Sequence, residues 1–201
     1  MLNTKDIEDL FPFENEDEVY LLLALARKKY NPDISKPLLF SEIVESPARW
    51  VYKIHKLLKL ADSYPFSFNL YVSQNPRSIR KALFLFKSKL LQFEFEGWKL
   101  HVEKLKRLDS MWKSCLQNQF SRSRKQYFIV DIDTKIQHVV EDVKETLKKQ
   151  EVQIKKVNET RSGVHILCKP FNERLISSLL SSKFSDEVEI LKDSNFFIME
   201  I

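Results

Sequence analysis

Apolar residues follow two different periods along the chain, and the change of period divides it into helices and strands. Residues 16–29 carry Val19, Leu22, Leu23 and Ala26 at helical spacing, which predicts a helix. The same period predicts further helices over residues 47–58, 78–92, 100–117, 136–150 and 172–181. Short runs of branched and aromatic residues predict strands over residues 68–72, 126–131, 152–157, 163–168, Val188–Leu191 and 196–201.

The order of these elements in the last part of the chain is β-α-β-β-α-β, followed by one terminal strand. This order is typical of an antiparallel sheet with the strand order 4-1-3-2. We therefore predict an α+β protein with three parts. Residues 126–201 form an RRM-like (ferredoxin-like) sheet with helices on one face, residues 66–125 form a basic βα unit, and residues 1–65 form an N-terminal helical segment.

The composition excludes several classes of protein. The chain of 201 residues has two glycines, Gly97 and Gly163, whereas a Walker or Rossmann phosphate loop needs several close together. The two cysteines lack the spacing of a zinc site or a disulfide scaffold. No apolar run approaches the roughly 18 residues of a membrane span, and the acidic N-terminus is no secretory signal. We expect a cytoplasmic protein with no membrane partner.

Charge is distributed unevenly along the chain. The net charge is +5, although the first 18 residues carry one lysine against seven acidic residues. Residues 77–125 carry thirteen Lys and Arg against four acidic residues. A surplus of this size attracts a polyanion, although solvated lysines on helices would give the same composition. The candidates for binding nucleic acid are Arg77, Arg80, Lys81, Arg122 and Arg124.

Two carboxylates, Asp131 and Asp133, end the first strand of the predicted sheet. Side chains two residues apart on a strand share a face, and antiparallel pairing places them beside the segment that contains Ser162, Gly163 and His165. Paired carboxylates with oxygen-only donors suit Mg²⁺ or Mn²⁺. The alternatives are a cap for the following helix at the acid pair and an ordinary core residue at His165.

A third acidic ligand depends on which strand lies beside the first strand. If the terminal strand lies there, Asp193 joins the acid pair. If residues Val188–Leu191 lie there instead, Asp186, Glu187 or Glu189 is closer. We favour Asp193.

Aromatic residues also allow two interpretations. Tyr71, Trp50, Trp98 and Trp112 are candidates for stacking on single-stranded bases. For Phe84, Phe86, Phe93 and Phe95 we expect positions in the core.

Three segments together resemble the catalytic motifs of the archaeo-eukaryotic primase-polymerases, in particular compact phage and plasmid members. They are residues 128–133 (FIVDID), 160–166 (TRSGVHI) and 189–193 (EILKD). Residues 70–78 (LYVSQNPRS) are similar to a strand-turn-helix segment of phage-type relatives. The resemblance covers about residues 68–201.

The resemblance implies a metal-dependent nucleotidyltransferase that copies a single-stranded DNA template from nucleoside triphosphates. Asp131, Asp133 and Asp193 would hold Mg²⁺ or Mn²⁺. The nucleotide phosphates would contact the segment that comprises Arg161, Ser162, Gly163 and His165. A replicative helicase is a further candidate partner. The alternative function is a non-catalytic nucleic-acid-binding or replication-accessory protein with a primase-like fold.

Overall fold

A computed structural model describes residues 4–184 and 187–201, which form two antiparallel sheets with flanking helices. The helices are α1 (Thr4–Leu10), α2 (Trp50–Ala61), α3 (Ile79–Glu96), α4 (Val102–Leu105), α5 (Leu108–Gln117), α6 (Gln137–Lys149) and α7 (Glu173–Phe184). The strands are β1 (Glu18–Ala26), β2 (Leu38–Val44), β3 (Asn69–Ser73), β4 (Arg77–Ser78), β5 (Phe128–Ile132), β6 (Ile154–Glu159), β7 (Val164–Cys168), β8 (Val188–Leu191) and β9 (Asn195–Glu200).

The first sheet has the order β2-β1-β3-β9, and the short strand β4 also pairs with β1. The helix predicted over residues 16–29 is wrong, because this segment forms the strand β1. Its apolar residues are buried on both faces of the sheet, Tyr20 and Leu22 on one face and Val19 and Leu21 on the other. A strand that is buried on both sides is a continuous apolar run, which periodicity cannot distinguish from a buried helix.

Helices cover both faces of the first sheet. The face that carries Tyr20 and Leu22 packs on α1 and α2 through residues such as Trp50. The opposite face packs on α3 and α5, where Ala82 and Leu116 contribute to a smaller core. The expected helical segment over residues 1–65 is therefore an α+β region that supplies two strands and two helices to this layer.

The second sheet has the order β6-β7-β5-β8, and all its neighbouring strands are antiparallel. This is the strand order predicted from the sequence. One face packs on α6 and α7 through Val130, Ile132 and Ile166. The other face contributes Ile129 and Leu167 to the large core of the first sheet. The terminal strand β9 does not enter this sheet, because it pairs with β3 of the first sheet.

Two buried amides after β3 connect the sheets. The Oδ1 atom of Asn75 accepts hydrogen bonds from the backbone N–H groups of Gln126 (2.7 Å) and Tyr127 (3.0 Å). The Nε2 atom of Gln74 donates to the carbonyl oxygens of Tyr127 (3.0 Å) and Leu191 (3.1 Å). The turn between β3 and β4 thus fixes the start of β5 and the end of β8, because buried backbone groups need such partners.

Two of the four aromatic residues of α3 lie outside the cores. Phe84 and Phe95, which were expected in the core, are 63% and 93% exposed. Phe93 is buried and Phe86 is half-buried against α5. Trp50, a candidate for base stacking, is fully buried and cannot contact a base.

Within the described residues, we find no helix that combines the length and the apolar character needed to cross a membrane.

Candidate functional site

A pocket of about 230 Å³ lies between the two sheets and brings together five of the predicted metal- and nucleotide-binding residues. These five are Asp131, Asp133, Arg161, Ser162 and His165. The first sheet also contributes lining residues, namely Leu23, Leu25, Arg27, Tyr30, Asn69 and Tyr71. The remaining lining residues are Thr160, Leu191, Ser194 and Asn195.

The acid pair lies at the end of β5. Asp131 is directly opposite His165 in the register of β5 and β7, and its side chain is 27% exposed within an otherwise buried strand. Asp133 follows the end of the strand, is exposed, and its N–H donates to the carbonyl oxygen of Glu187 (2.9 Å). Among the described residues, no cationic side chain forms an ion pair with Asp133. The pocket therefore contains a carboxylate with no protein counter-charge of its own.

His165 connects the acid pair to the first sheet. Its Nδ1 accepts a hydrogen bond from the backbone N–H of Phe197 (3.2 Å), and its Nε2 lies 3.3 Å from Oδ1 of Asp131. With Nδ1 as the acceptor, a neutral His165 carries its proton on Nε2, the ring nitrogen on the side of Asp131. Val164 and Ile166 point to the opposite face, into the core with α6 and α7, as the alternation predicted.

The same face of the second sheet covers the open edge of β9. Besides the contact of His165, the Nδ2 atom of Asn158 donates to the carbonyl oxygens of Phe197 (2.7 Å) and Ile198 (3.0 Å). An edge strand otherwise presents unpaired backbone groups. His165 therefore has a structural role at the edge of β9 and a second contact inside the pocket.

Gly163 is required by a close approach between two strands. A Cβ atom on this residue would lie 1.9 Å from the carbonyl oxygen of Ile132. Its own N–H donates to Oγ1 of Thr160 (2.9 Å), and its carbonyl oxygen accepts from the N–H of Thr160 (2.8 Å). The expected contact between this backbone and a phosphate is not supported, because both polar groups of Gly163 already have partners.

Two arginines also line the pocket, Arg27 after β1 and Arg161 between β6 and β7. The guanidinium of Arg161 lies 4.5 Å from the ring centre of Tyr30 and pairs with Glu200 at 3.1 Å. The guanidinium of Arg27 lies 5.7 Å from the ring centre of Tyr71. The ring contact restricts each guanidinium, and Nη1 of Arg161 is already engaged by Glu200 and by Oγ of Ser67 (3.3 Å), so a ligand would meet its other N–H groups. The pocket thus combines anionic and cationic lining residues.

Asp193 does not join the acid pair. The strand beside β5 is β8, in which Leu191 pairs with Ile129, so position 193 falls level with position 127. That is four residues, or about 13 Å along the strand, from Asp131. The Oδ2 atom of Asp193 instead accepts a hydrogen bond from Arg77 at 2.8 Å, and both side chains are buried.

The register places Glu189 where a third acid was sought. Glu189 lies directly opposite Asp131 across β5 and β8. Directly opposite residues in an antiparallel pair share a face, with Cβ atoms about 5 Å apart. Glu187 contributes its backbone carbonyl to Asp133, and Asp186 lies outside the described residues.

The donor set suits a hard cation that also binds substrate. Among residues 4–184 and 187–201, no three His, Cys, Asp or Glu side chains are arranged so that they could hold a metal ion by themselves. Asp131 and Asp133 both line the pocket, whereas Glu189 is opposite Asp131 in register but is not among the lining residues. Mg²⁺ or Mn²⁺ held by two carboxylates would need water and substrate phosphate as its further ligands.

The five residues expected to bind nucleic acid divide into two groups. Arg77 is buried and paired with Asp193, and Arg124 pairs with Glu18 at 3.0 Å and with Glu14 at 3.1 Å. Neither guanidinium is available to a phosphate. The other three lie at the surface at the start of α3 and after α5, namely Arg80, Lys81 and Arg122.

The buried carboxylate of Glu18 is held in its charged form. Burial alone would raise the pKa of Glu18, but hydrogen bonds from the N–H of Glu14 and from the side chains of Arg124 and Ser123 together lower it below its usual value. This cluster fixes the segment before β5 to the start of β1.

Sequence reasoning missed several lining residues. Arg27 and Tyr30 follow β1, and they escaped notice because that segment was interpreted as a helix. Asn69 was not considered although its neighbour Tyr71 was. Thr160 precedes Arg161 directly, so its proximity to the pocket could have been predicted.

Comparison with known proteins identifies no relative. No family model, no curated protein and no solved structure matches the chain. Its function is therefore inferred from the pocket itself.

Proposed function

We propose that this protein is a metal-dependent nucleotidyltransferase of the primase-polymerase type, which extends a nucleic-acid strand on a single-stranded DNA template. The observation that carries the proposal is the convergence of Asp131, Asp133 and His165 in one pocket with Arg27 and Arg161. The proposal includes the interpretation of the β6-β7-β5-β8 sheet as an RRM-like catalytic unit.

The carboxylates would hold the metal. Asp131 and Asp133 would be the two protein ligands, with water and substrate phosphate as the other donors, and Glu189 lies opposite Asp131 on β8. Bound there, Mg²⁺ or Mn²⁺ would lower the pKa of the attacking hydroxyl and stabilise the charge that develops on the transferred phosphoryl group.

The arginines and the histidine would orient the nucleotide. Arg27 and Arg161 supply charge-assisted hydrogen bonds to phosphate oxygens, and the ring contacts restrict both guanidiniums. The Nε2 atom of His165 lies 3.3 Å from Oδ1 of Asp131, so the imidazole would restrict the position of that carboxylate. A volume of about 230 Å³ is below the roughly 300 Å³ of pockets that bury a whole small molecule. We expect the phosphates inside the pocket and the base at its mouth.

A second candidate function is a nucleic-acid-binding accessory protein without catalysis. It is favoured by the position of Asp193, which leaves the motif resemblance incomplete at its third acid.

Synthesis on a single-stranded template tests the proposal. The protein is incubated with primed and unprimed single-stranded DNA, ribo- or deoxynucleoside triphosphates, and Mg²⁺ or Mn²⁺. We expect products from the wild type and none from Asp131→Asn/Asp133→Asn. Asp142→Asn is the matched control, because Asp142 is an exposed aspartate on α6 outside the pocket.

The outcomes separate the two functions. No product with either metal, together with tight binding of DNA, supports the accessory protein. Full synthesis by the double variant refutes the assignment of the acid pair.

A further inference from the structure

Helix α3 presents a surface on which aromatic and basic side chains alternate. Phe84, Leu91 and Phe95 are 63%, 65% and 93% exposed, and their spacing places them on one side of the helix. Arg80 and Lys87 are exposed on the same side. We call these five residues the α3 stripe; it extends over the 16 residues from Arg80 to Phe95, or about 22 Å of helix.

The exposed apolar groups continue at both ends of the stripe. After α3 ends, Trp98 is 57% exposed and is followed by Lys99. At the start of α3, the ring of Phe120 lies 6.1 Å from that of Phe84, centre to centre. Arg122 follows Phe120 two residues later, and its carbonyl oxygen accepts a hydrogen bond from Lys81.

The exposure of the α3 stripe does not arise from poor packing of α3. The other side of α3 packs on the first sheet and on α5, where Phe86 meets Trp112 edge to face at 5.7 Å. Contiguous exposed apolar surface of this kind marks interaction sites on soluble proteins.

Charge decides which partner fits. Residues 80–122 carry ten Lys and Arg against four acidic residues. Two of these acids are already engaged, Glu96 with His101 and Glu103 with Lys106. A partner that brings negative charge together with flat apolar rings satisfies both features of the surface, and single-stranded nucleic acid is such a partner.

The stripe belongs to the same side of the molecule as the candidate active site. On β1, Val19 and Leu21 pack in the core under α3 and α5, while the next residues on that face, Leu23 and Leu25, line the pocket. The helices and the pocket are therefore neighbours on one face of the first sheet.

We infer that the α3 stripe and Trp98 bind the single-stranded template by stacking on its bases while nearby lysines and arginines contact its phosphates. The inference rests on the proposed function for the identity of the bound strand as template. The binding itself does not require the pocket, a metal or a nucleotide.

Binding of oligothymidylate and oligouridylate, measured by fluorescence anisotropy in EDTA without nucleotides, tests this inference. Replacing one stacked aromatic typically weakens binding several-fold or more, so we expect Phe84→Ser/Phe95→Ser to raise Kd at least about tenfold. The matched control is Tyr52→Ser, because Tyr52 is an exposed aromatic residue on α2 outside the stripe. Its Kd should equal that of the wild type.

Tryptophan emission gives a second readout. Trp98 is the exposed tryptophan, whereas Trp50 is fully buried and Trp112 is half-buried. Bound strands should quench the emission of the wild type and leave that of Trp98→Phe unchanged. Lys87→Gln should also reduce the dependence of log Kd on log salt concentration by about 0.7.

Unchanged affinity of the Phe84/Phe95 double variant overturns the inference. So does a wild type that sediments as a dimer through the stripe while the variant sediments as a monomer with the same affinity. Stripe-dependent binding without synthesis in Mn²⁺ upholds the inference and refutes the proposed function. Strand synthesis that depends on Asp131 but not on the α3 stripe supports the proposed function and refutes the inference about the stripe.

Discussion

Replacing Asp193 by alanine distinguishes the structural role of this residue from the metal-binding role that the sequence motif predicts. The carboxylate accepts a 2.8 Å hydrogen bond from Arg77, and the two side chains are only 8% and 4% exposed. The variant leaves the guanidinium buried with no anion. Its Nε atom has no hydrogen-bond partner among the described residues, and its Nη1 keeps only the uncharged carbonyl oxygen of Asn118 at 3.5 Å.

The expected loss of stability is large. Removing one partner of a buried ion pair costs about 3–5 kcal/mol. For a protein of this size about 1 kcal/mol corresponds to about 2–4 °C, so Asp193→Ala should lower Tm by about 6–20 °C. Arg77→Met/Asp193→Leu removes both charges and replaces them with apolar volume. It should be more stable than Asp193→Ala, because no charge then remains buried alone.

Circular dichroism gives Tm, and the primer-extension assay gives activity at a temperature where each variant is folded. Asp142→Ala is the control for loss of an exposed carboxylate and should change neither quantity. We expect Arg77→Met/Asp193→Leu, where it is folded, to retain strand synthesis. If Asp193→Ala keeps the wild-type Tm but makes no product, the residue is a ligand after all and the structural reasoning fails.

Two further substitutions test the packing around the pocket and the charge cluster at the start of β1. Because the pKa of Glu18 is lowered in the folded state, its carboxylate stabilises the fold above its ordinary pKa of 4.5, and this contribution is lost as the pH falls through the folded-state value. Glu18→Gln should therefore be less stable than the wild type at pH 7, and denaturant titrations should show the gap closing below about pH 4.5; a gap independent of pH contradicts this. Gly163→Ala forces a methyl group against the carbonyl of Ile132. It should lower the free energy of unfolding by at least about 1–3 kcal/mol and abolish strand synthesis. The comparison is Gly97→Ala, where φ is +93° but no atom lies within 4 Å, so only backbone strain is added and synthesis should persist. Equal effects of the two alanines, measured by thermal unfolding, would refute the argument.

The acid pair and the histidine could be placed from the sequence because their proximity depends on few assumptions. Alternation along a strand fixes which side chains share a face, and an antiparallel neighbour fixes which end meets which. Asp131 and His165 are therefore opposite each other as soon as β5 and β7 are adjacent. The predicted strand order was enough for this, and no side-chain detail was needed.

Asp193 could not be placed in the same way. Two consecutive strands, β8 and β9, were both suitable neighbours of β5, and local patterns were equal for the two. Which of the two strands lies beside β5 depends on β3. This strand pairs with β1 on one side and with β9 on the other, so β9 belongs to a sheet separate from that of β5. Once residues 16–29 were interpreted as a helix, that sheet was absent from the prediction and Asp193 was assigned to the wrong place.

The wrong helix prediction for residues 16–29 also explains why the sequence did not indicate the part of the pocket that the first sheet supplies. A catalytic unit confined to residues 126–201 would supply Asp131 and His165 but not the opposite wall, where Leu23 and Arg27 of the first sheet and Tyr71 of β3 lie. His165 is itself held by the N–H of Phe197 on β9, a strand of the first sheet. The geometry of the carboxylate beside it therefore depends on contacts between the sheets. The candidate site is a property of both sheets together, although the residues that carry its chemistry could be recognised in one of them.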